Sequence, residues 1–278
     1  MKDPKVLYIL ISLFCVFAIV AGIYAQFIDP NYGGLNFAQV DNPDVVPGQT
    51  QEELRDRFNN LFTNTLNLNG FDTTGLQRID NSEEIIFTYN FENITDRYEL
   101  RMNIPAFNIK SELANLINQQ TQANFINKAN TIMQDDTSTV MTLYNIDYTA
   151  NINDNILSLV IRATLKEGST AQRTMVQTYN YNLETNEQVS LVDLITFKML
   201  NAEEVNNTIM QVVTKANEEA ETFQNMGYND IFIRDLTSNI YNVNNASSYF
   251  LGPNGELYIV YAYGNDNLTS EVDIILFE

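Results

Sequence analysis

The stretch MTLYNIDYTANINDNILSLVIRATLKEGSTAQRTMVQTYNYNL, residues 141–183, decides the fold class. Met141 to Ala150, Ile156 to Leu165 and Met175 to Leu183 are rich in β-branched and aromatic residues and read as three consecutive strands. Asn151-Ile152-Asn153-Asp154-Asn155 and Glu167-Gly168-Ser169 supply the turns between them. Strands joined by such short turns pair antiparallel. Working outward, Ser111 to Met133 carries Leu113, Leu116, Ile117, Phe125, Ile126, Ala129 and Ile132 at helical spacing. Ile85 to Phe91 and Tyr98 to Ile104 read as a further hairpin around Asn93-Ile94-Thr95-Asp96, ended by Pro105. Downstream, Asn201 caps a second long helix with Glu203 and Glu204 in its first turn and Val205, Ile209, Val212, Val213, Ala216, Ala220 and Phe223 on its apolar face. Tyr249 to Leu251, Leu257 to Tyr263 and Val272 to Phe277 close the chain as a meander around Gly252-Pro253-Asn254-Gly255 and Gly264-Asn265-Asp266-Asn267. The order is that of an α+β fold: mainly antiparallel sheets with two long packing helices.

Before these elements stands a run of a different kind. Val6 to Ala25, VLYILISLFCVFAIVAGIYA, is free of charge and long enough to span a bilayer as a helix. Lys2 and Lys5 precede it, and the first basic residue after it is Arg55. That asymmetry expects a cytoplasmic N-terminus and an extracytoplasmic bulk. The run exceeds the apolar region of a cleaved signal peptide, and Ile23-Tyr24-Ala25 is a poor cleavage pattern, so an uncleaved anchor is expected. Residues Gln26 to Gln49 are turn-rich, with Asp29-Pro30, Gly33-Gly34, Asn42-Pro43 and Pro47-Gly48. Thr50 then caps a helix through Leu54, Phe58, Leu61, Phe62 and Leu66.

Composition excludes several kinds of chemistry. The 278 residues contain no histidine, which removes the commonest general base and the usual nucleophile pairs and metal ligands. The single cysteine, Cys15, lies inside the apolar run, so no intrachain disulfide and no thiolate chemistry are expected outside. Asp and Glu outnumber Lys and Arg by 35 to 15, for a formal net charge of −20. Such a field repels nucleic acid and attracts cationic partners. The loops Asn151–Asn155 and Asn265–Asn267 lack the glycine and distal glutamate of a calcium loop and read as turns. No phosphate loop, zinc motif or nucleophile elbow occurs, and no local motif singles out a pair of carboxylates. The expectation is a non-enzyme without cofactor or metal.

One segment is more specific. Thr178-Tyr179-Asn180-Tyr181-Asn182-Leu183-Glu184-Thr185-Asn186-Glu187-Gln188-Val189-Ser190-Leu191-Val192-Asp193-Leu194 resembles the motif of the RsiV-type extracellular domain. That domain family occurs in a lysozyme-sensing anti-sigma factor and in the N-terminal part of PdaC-type peptidoglycan deacetylases. Leu100 to Pro105, Ile156 to Leu159 and Ser248 to Leu257 resemble neighbouring parts of the same domain, so the likeness spans roughly residues 85 to 278. Tyr181, Leu183, Thr185, Leu191, Asp193 and Leu194 carry the motif. They are core, turn and cap types: Tyr181, Leu183, Leu191 and Leu194 as core, Glu184 to Glu187 as a turn with Asn186 at a left-handed position, and Asp193 as a helix cap. The motif thus describes a fold rather than a reaction. Lys166 to Gln172 stands where many members carry a histidine-containing run, so no role of that loop carries over. With only Met1 to Lys5 ahead of the anchor and no deacetylase domain, neither the anti-sigma nor the deacetylase activity is expected.

The organisation expected from these readings is a cytoplasmic N-terminus at 1–5 and a transmembrane anchor at 6–25. A stalk and linker with one helix would follow at 26–84, a first α+β subdomain at 85–170 and an RsiV-type subdomain at 171–278. The resemblance and the acidity imply a binding or sensing module of the bacterial cell envelope, held to the lipid bilayer by residues 6–25. Its expected partner is a cationic protein such as lysozyme, or a peptidoglycan fragment. The alternative is a structural or assembly protein that acts through contacts with other membrane proteins.

Overall fold

A computed structural model of the chain describes residues 50–228, 231–262 and 272–278. The expected N-terminus, anchor and early linker, and the turn Gly264 to Asn267, lie outside these residues. The described part is a mixed α+β structure with two sheets. The elements are α1 (Gln51–Asn59), β1 (Leu66–Asn67), β2 (Ile86–Ile94), β3 (Tyr98–Phe107), α2 (Glu112–Thr121), α3 (Asn127–Gln134), β4 (Thr142–Asn153), β5 (Ile156–Glu167), β6 (Arg173–Asn182), α4 (Leu191–Phe197), α5 (Ala202–Asn225), β7 (Tyr249–Leu251), β8 (Leu257–Ala262) and β9 (Val272–Phe277).

The expected hairpins form. β4 pairs antiparallel with β5, and β5 with β6, in continuous register. Asp154, at φ 52°, makes the left-handed corner of the first turn. β2 and β3 form an antiparallel pair, as do β7, β8 and β9 in their own sheet. One pairing departs from the expectation of short-turn connectivity. β3 lies parallel to β4 over Tyr98–Met102 against Thr142–Ile146. The reason is the connection: a long helical crossover, not a turn, joins these strands, and such a crossover returns the chain in the same direction. β1 also runs parallel to β4, further along the same edge.

The crossover helix is not uniform. Ile117, Thr121, Phe125 and Ala129 are all buried at four-residue steps. Each such step overshoots an α-helical turn by about 40°. A π-helical turn over Gln122–Ile126 separates α2 from α3 and absorbs the excess. The buried side therefore runs through Ala114, Ile117, Phe125, Ala129 and Ile132, while Leu116, expected on the stripe, is 47% exposed.

Alternation within the strands sets the layers. Tyr144, Ile146 and Tyr148 of β4, Leu157, Leu159 and Ile161 of β5, and Tyr179 and Tyr181 of β6 face α2 and α3 in one core. The opposite face of β5 and β6 presents Val160 and Val176, which pack with Phe250, Tyr258, Val260, Ile274 and Leu276 of the second sheet and with Leu54 and Phe58 of α1. The far face of the second sheet, including Ile259 and Ile275, meets Val205, Ile209 and Val213 of α5. β5 is thus buried on both faces from Ile156 to Ile161. β6 lies in the first sheet, so that sheet ends after Asn182 rather than near residue 170. The described part of the expected stalk is likewise built into the body. Leu54 and Phe58 are 5% and 1% exposed, and full burial of such side chains contributes about 1.5–3 kcal/mol each. Thr50 and Glu53 close a capping box on α1. The helix stops at Asn60, short of the expected Leu66, and further on Asn64 turns left-handed at φ 58° and accepts from the Tyr148 N–H through its side chain.

Where the sheets meet, polar side chains replace a strand. Ser248 and Gly252 bond to Val260 and Glu256, so Tyr249 and Leu251 point their peptide groups away from β8. The Tyr249 N–H donates to Thr178 Oγ1 at 3.2 Å, and its carbonyl accepts from Asn180 Nδ2 at 2.8 Å. The Leu251 N–H donates to Ser158 Oγ at 3.0 Å, and the Ser158 hydroxyl donates to Asn180 Oδ1 at 2.6 Å. Ser158 and Asn180 are 0% and 3% exposed, so no solvent could stand in for them. Asn180→Ala should cost about 1–3 kcal/mol, the penalty of buried groups left unbonded. Urea unfolding checks this against the exposed Asn90→Ala, for which a change within about 0.5 kcal/mol is expected.

Candidate functional site

The motif residues divide between two cores. Tyr181 and Leu183 are buried against the crossover helix, whereas Leu191 and Leu194 are buried against α5. Thr185 lies in the exposed turn between them. Asn186 takes the left-handed position at φ 60°. The Tyr181 hydroxyl reaches Ser111 Oγ at 2.9 Å and bonds to Asn186 Oδ1, so it ties the start of α2 to this turn. Burial raises the Tyr181 phenol pKa, and the Ser111 contact partly offsets this. Asp193 does not itself cap α4. Ser190 is the cap, and Asp193 completes the box from the third helical position, accepting from the Ser190 N–H at 2.8 Å and the Ser190 hydroxyl at 2.6 Å. The Ser190 hydroxyl contact, followed by the backbone one, lowers the Asp193 pKa.

An open hollow of about 390 Å3 lies beside Ser111, lined by Ile79, Ile109, Lys110, Ser111, Glu112 and Asn115. It is open to solvent and holds one side chain of each charge. Among the described residues, no group of three Asp, Glu, Cys or His side chains could hold a metal ion. Among the same residues, no helix is long and apolar enough to cross a membrane.

The most distinctive surface is the outer side of α5. Glu203, Glu204, Glu218 and Glu221 are exposed and fall on one side of this 24-residue helix, with Lys215 beside them. The helix begins on the expected cap, with Asn201 Oδ1 accepting from the Glu203 N–H at 2.8 Å. It ends differently from the expectation. Phe223 is 50% exposed rather than part of the buried face. The Tyr228 N–H returns to the Phe223 carbonyl, the Gly227 N–H returns to that of Gln224, and Gly227 sits at φ 96°. This helix-stopping loop places Phe223 and Tyr228 edge to face, with ring centroids 6.0 Å apart. Met226 and Tyr228 are 64% and 61% exposed, so α5 ends in an apolar tip, with Phe223 on the side of the helix away from Glu221.

A buried ion pair fixes the segment after α5. Arg234 Nε and Nη2 donate to Asp273 Oδ2 and Oδ1 at 2.6 and 2.8 Å, a two-pronged contact between residues 6% and 0% exposed. Arg234 Nη1 also donates to the Ala216 carbonyl at 3.0 Å, and the Arg234 N–H donates to Asn217 Oδ1 at 2.7 Å. Arg55 of α1 approaches Asp273 at 3.8 Å. The pair joins the loop to α5 and β9. Sequence reading missed it because its partners are far apart in the chain; an isolated Asp at the start of the otherwise apolar Val272 to Phe277 was the available signal.

No family model and no curated protein matches the chain. Among solved structures, it is similar to crystal structures of a DUF3298 family protein from Pseudomonas aeruginosa PAO1 and of a DUF3298 family member from Bacteroides fragilis NCTC 9343. Each is 11% identical with a TM-score of 0.40; the matches cover 69% of this chain and 89% and 88% of theirs. At that level neither structure assigns a role to any residue here.

Arg234→Met leaves the Asp273 carboxylate buried without its bidentate partner and should cost about 3–5 kcal/mol in urea unfolding. Adding Asp273→Leu should recover most of the loss, since the buried carboxylate that has lost its two-pronged contact is then gone. The cap on α4 is pH-dependent. A carboxyl with a lowered folded pKa adds stability above its unfolded pKa and loses it as pH falls through the folded value. Asp193→Asn should therefore cost about 1 kcal/mol at pH 7. The gap should close on acidification below about pH 4, as read from urea midpoints across the pH range.

Proposed function

We propose that the chain is a membrane-anchored extracytoplasmic binding or sensing module of the bacterial envelope. Residues 6–25 hold it in the bilayer with the N-terminus in the cytoplasm. The outer face of α5 receives a cationic partner, with lysozyme the first candidate and a peptidoglycan fragment the second.

The observation that carries this reading is the combination on α5. Glu203, Glu204, Glu218 and Glu221 lie on one side of the helix, and Phe223, Met226 and Tyr228 are exposed at its C-terminal end. Carboxylates steer a cationic protein toward the surface, and an apolar aromatic tip provides the desolvated contact that charge alone lacks. The net charge of −20 extends the attraction over the whole surface. The resemblance of Thr178–Leu194 to the RsiV-type motif supports an envelope setting, and the lack of histidine fits a role in binding.

Titration of the full chain in detergent with lysozyme at physiological salt should give saturable binding of one stoichiometry. Neutralising Glu203, Glu204, Glu218 and Glu221 to Gln should weaken it by at least about tenfold, which is about 1.4 kcal/mol. Binding without a fixed stoichiometry, or unchanged by the four substitutions, would count against this surface.

A further inference from the structure

β2 is the outermost strand of the first sheet, and among the described residues no strand pairs with its outer edge. Its register against β3 runs without a bulge from Ile86 to Ile94. The flanking bonds fix which groups point outward. The Asn108 N–H donates to the Ile85 carbonyl, and the Thr95 N–H donates to that of Tyr98. In an antiparallel ladder the bonding residues alternate. The odd-numbered residues of β2 therefore bond to β3, and Thr88, Asn90, Glu92 and Ile94 turn their peptide N–H and C=O groups outward.

Natural edge strands are commonly guarded by lysine, proline, a bulge or a short length. β2 has nine residues, neither lysine nor proline, and side chains exposed from Tyr89 to Glu92. Tyr89, Phe91 and Ile94 are 61%, 40% and 51% exposed. The sole charge on the strand, Glu92, lies 3.3 Å from Arg101 of β3. Arg101 also holds Glu99 at 3.0 Å, so in a protein of net charge −20 a like-charged copy meets one carboxylate per strand here, partly offset by Arg101.

The strand reads IFTYNFENI, with Tyr89 and Phe91, and Ile86 and Ile94, at equal distances on either side of Asn90. We propose that a second copy of this chain pairs with it antiparallel through a two-fold axis at Asn90, making one continuous sheet across the dimer. In that register Asn90 faces its own copy, Thr88 faces Glu92 and Ile86 faces Ile94. All are outward-pointing residues, so every open N–H and C=O finds a partner. Tyr89 then lies opposite Phe91 at the non-hydrogen-bonded positions, where side chains stand closest and an aromatic pair gains most. The axis makes this pair twice. A one-residue slip would set outward groups against inward ones and break the pattern. A single nine-residue strand pair is smaller than the common interface of about 1,600 Å2, so the expected dimer is weak, with a Kd on the order of 10 µM.

The test uses the full chain in detergent. Sedimentation should show a concentration-dependent dimer, and Asn90→Lys, which sets two ammonium groups on the axis, should weaken it at least tenfold with an unchanged melting temperature. In a Cys15→Ser background, Asn90→Cys should crosslink between copies under mild oxidation, because paired Cα atoms there stand about 5.5 Å apart. Glu92→Cys should not, because the two copies of that position lie on opposite sides of the axis. A monomer up to about 200 µM, more than tenfold above the expected Kd, would overturn the proposal. So would a dimer indifferent to Asn90→Lys, or equal crosslinking at the two positions.

Discussion

The arrangement of this protein depends on how β7 is held. Its outward peptide groups are buried where the two sheets meet, and no neighbouring strand bonds to them. Thr178, Asn180 and Ser158, all on one face of the first sheet, bond to Tyr249 and Leu251 in place of that strand. This lets the second sheet stack across the first without an unsatisfied edge in the interior. It also explains a polar pair in the middle of apolar strands. Ser158 and Asn180 are register partners in β5 and β6, and they bond to each other as well as to β7.

From that seam the layers follow. β5 is enclosed on both sides, by the crossover helix on one face and by the second sheet and α1 on the other. The motif between β6 and α4 is where the chain passes from one core to the next, with Tyr181 and Leu183 on one side and Leu191 and Leu194 on the other. Its capping box and left-handed Asn186 set the direction of that passage. The Arg234–Asp273 pair does similar work at the far layer, fixing the segment after α5 against β9. Its charges are costly to bury, and the geometry repays this only because both oxygens and several guanidinium protons are bonded. The surfaces we propose for partners are the acidic side of α5 and the edge of β2, which no strand covers among the described residues.

Much of the local structure could be read from the residues. The hairpins around Asn153-Asp154 and Gly252-Pro253, the caps at Thr50 and Asn201, and the three-strand meander at the end are short-range features. The enclosure of β5 was also written in ILSLVI, a run that does not alternate. Reading it only as a strand left the stacking of the sheets unseen. Three expectations failed for definable reasons. A crossover helix made β3 and β4 parallel. α1 closes at Asn60, and burial of Leu54 and Phe58 against the second sheet makes this part of the expected stalk part of the body. A helix-stopping contact, not a core position, accounts for Phe223.

The sequence by itself determined most element types, the turns and the acidic character, because each depends on neighbouring residues or on totals. Tertiary structure alone decided that Asn180 and Ser158 complete β7, that Arg234 meets Asp273 and that Phe223 is exposed at the end of α5. It also decided that, among the described residues, no strand pairs with the outer edge of β2. These are contacts between residues distant in the chain, and their energy depends on burial and register, which exist only once the sheets have stacked.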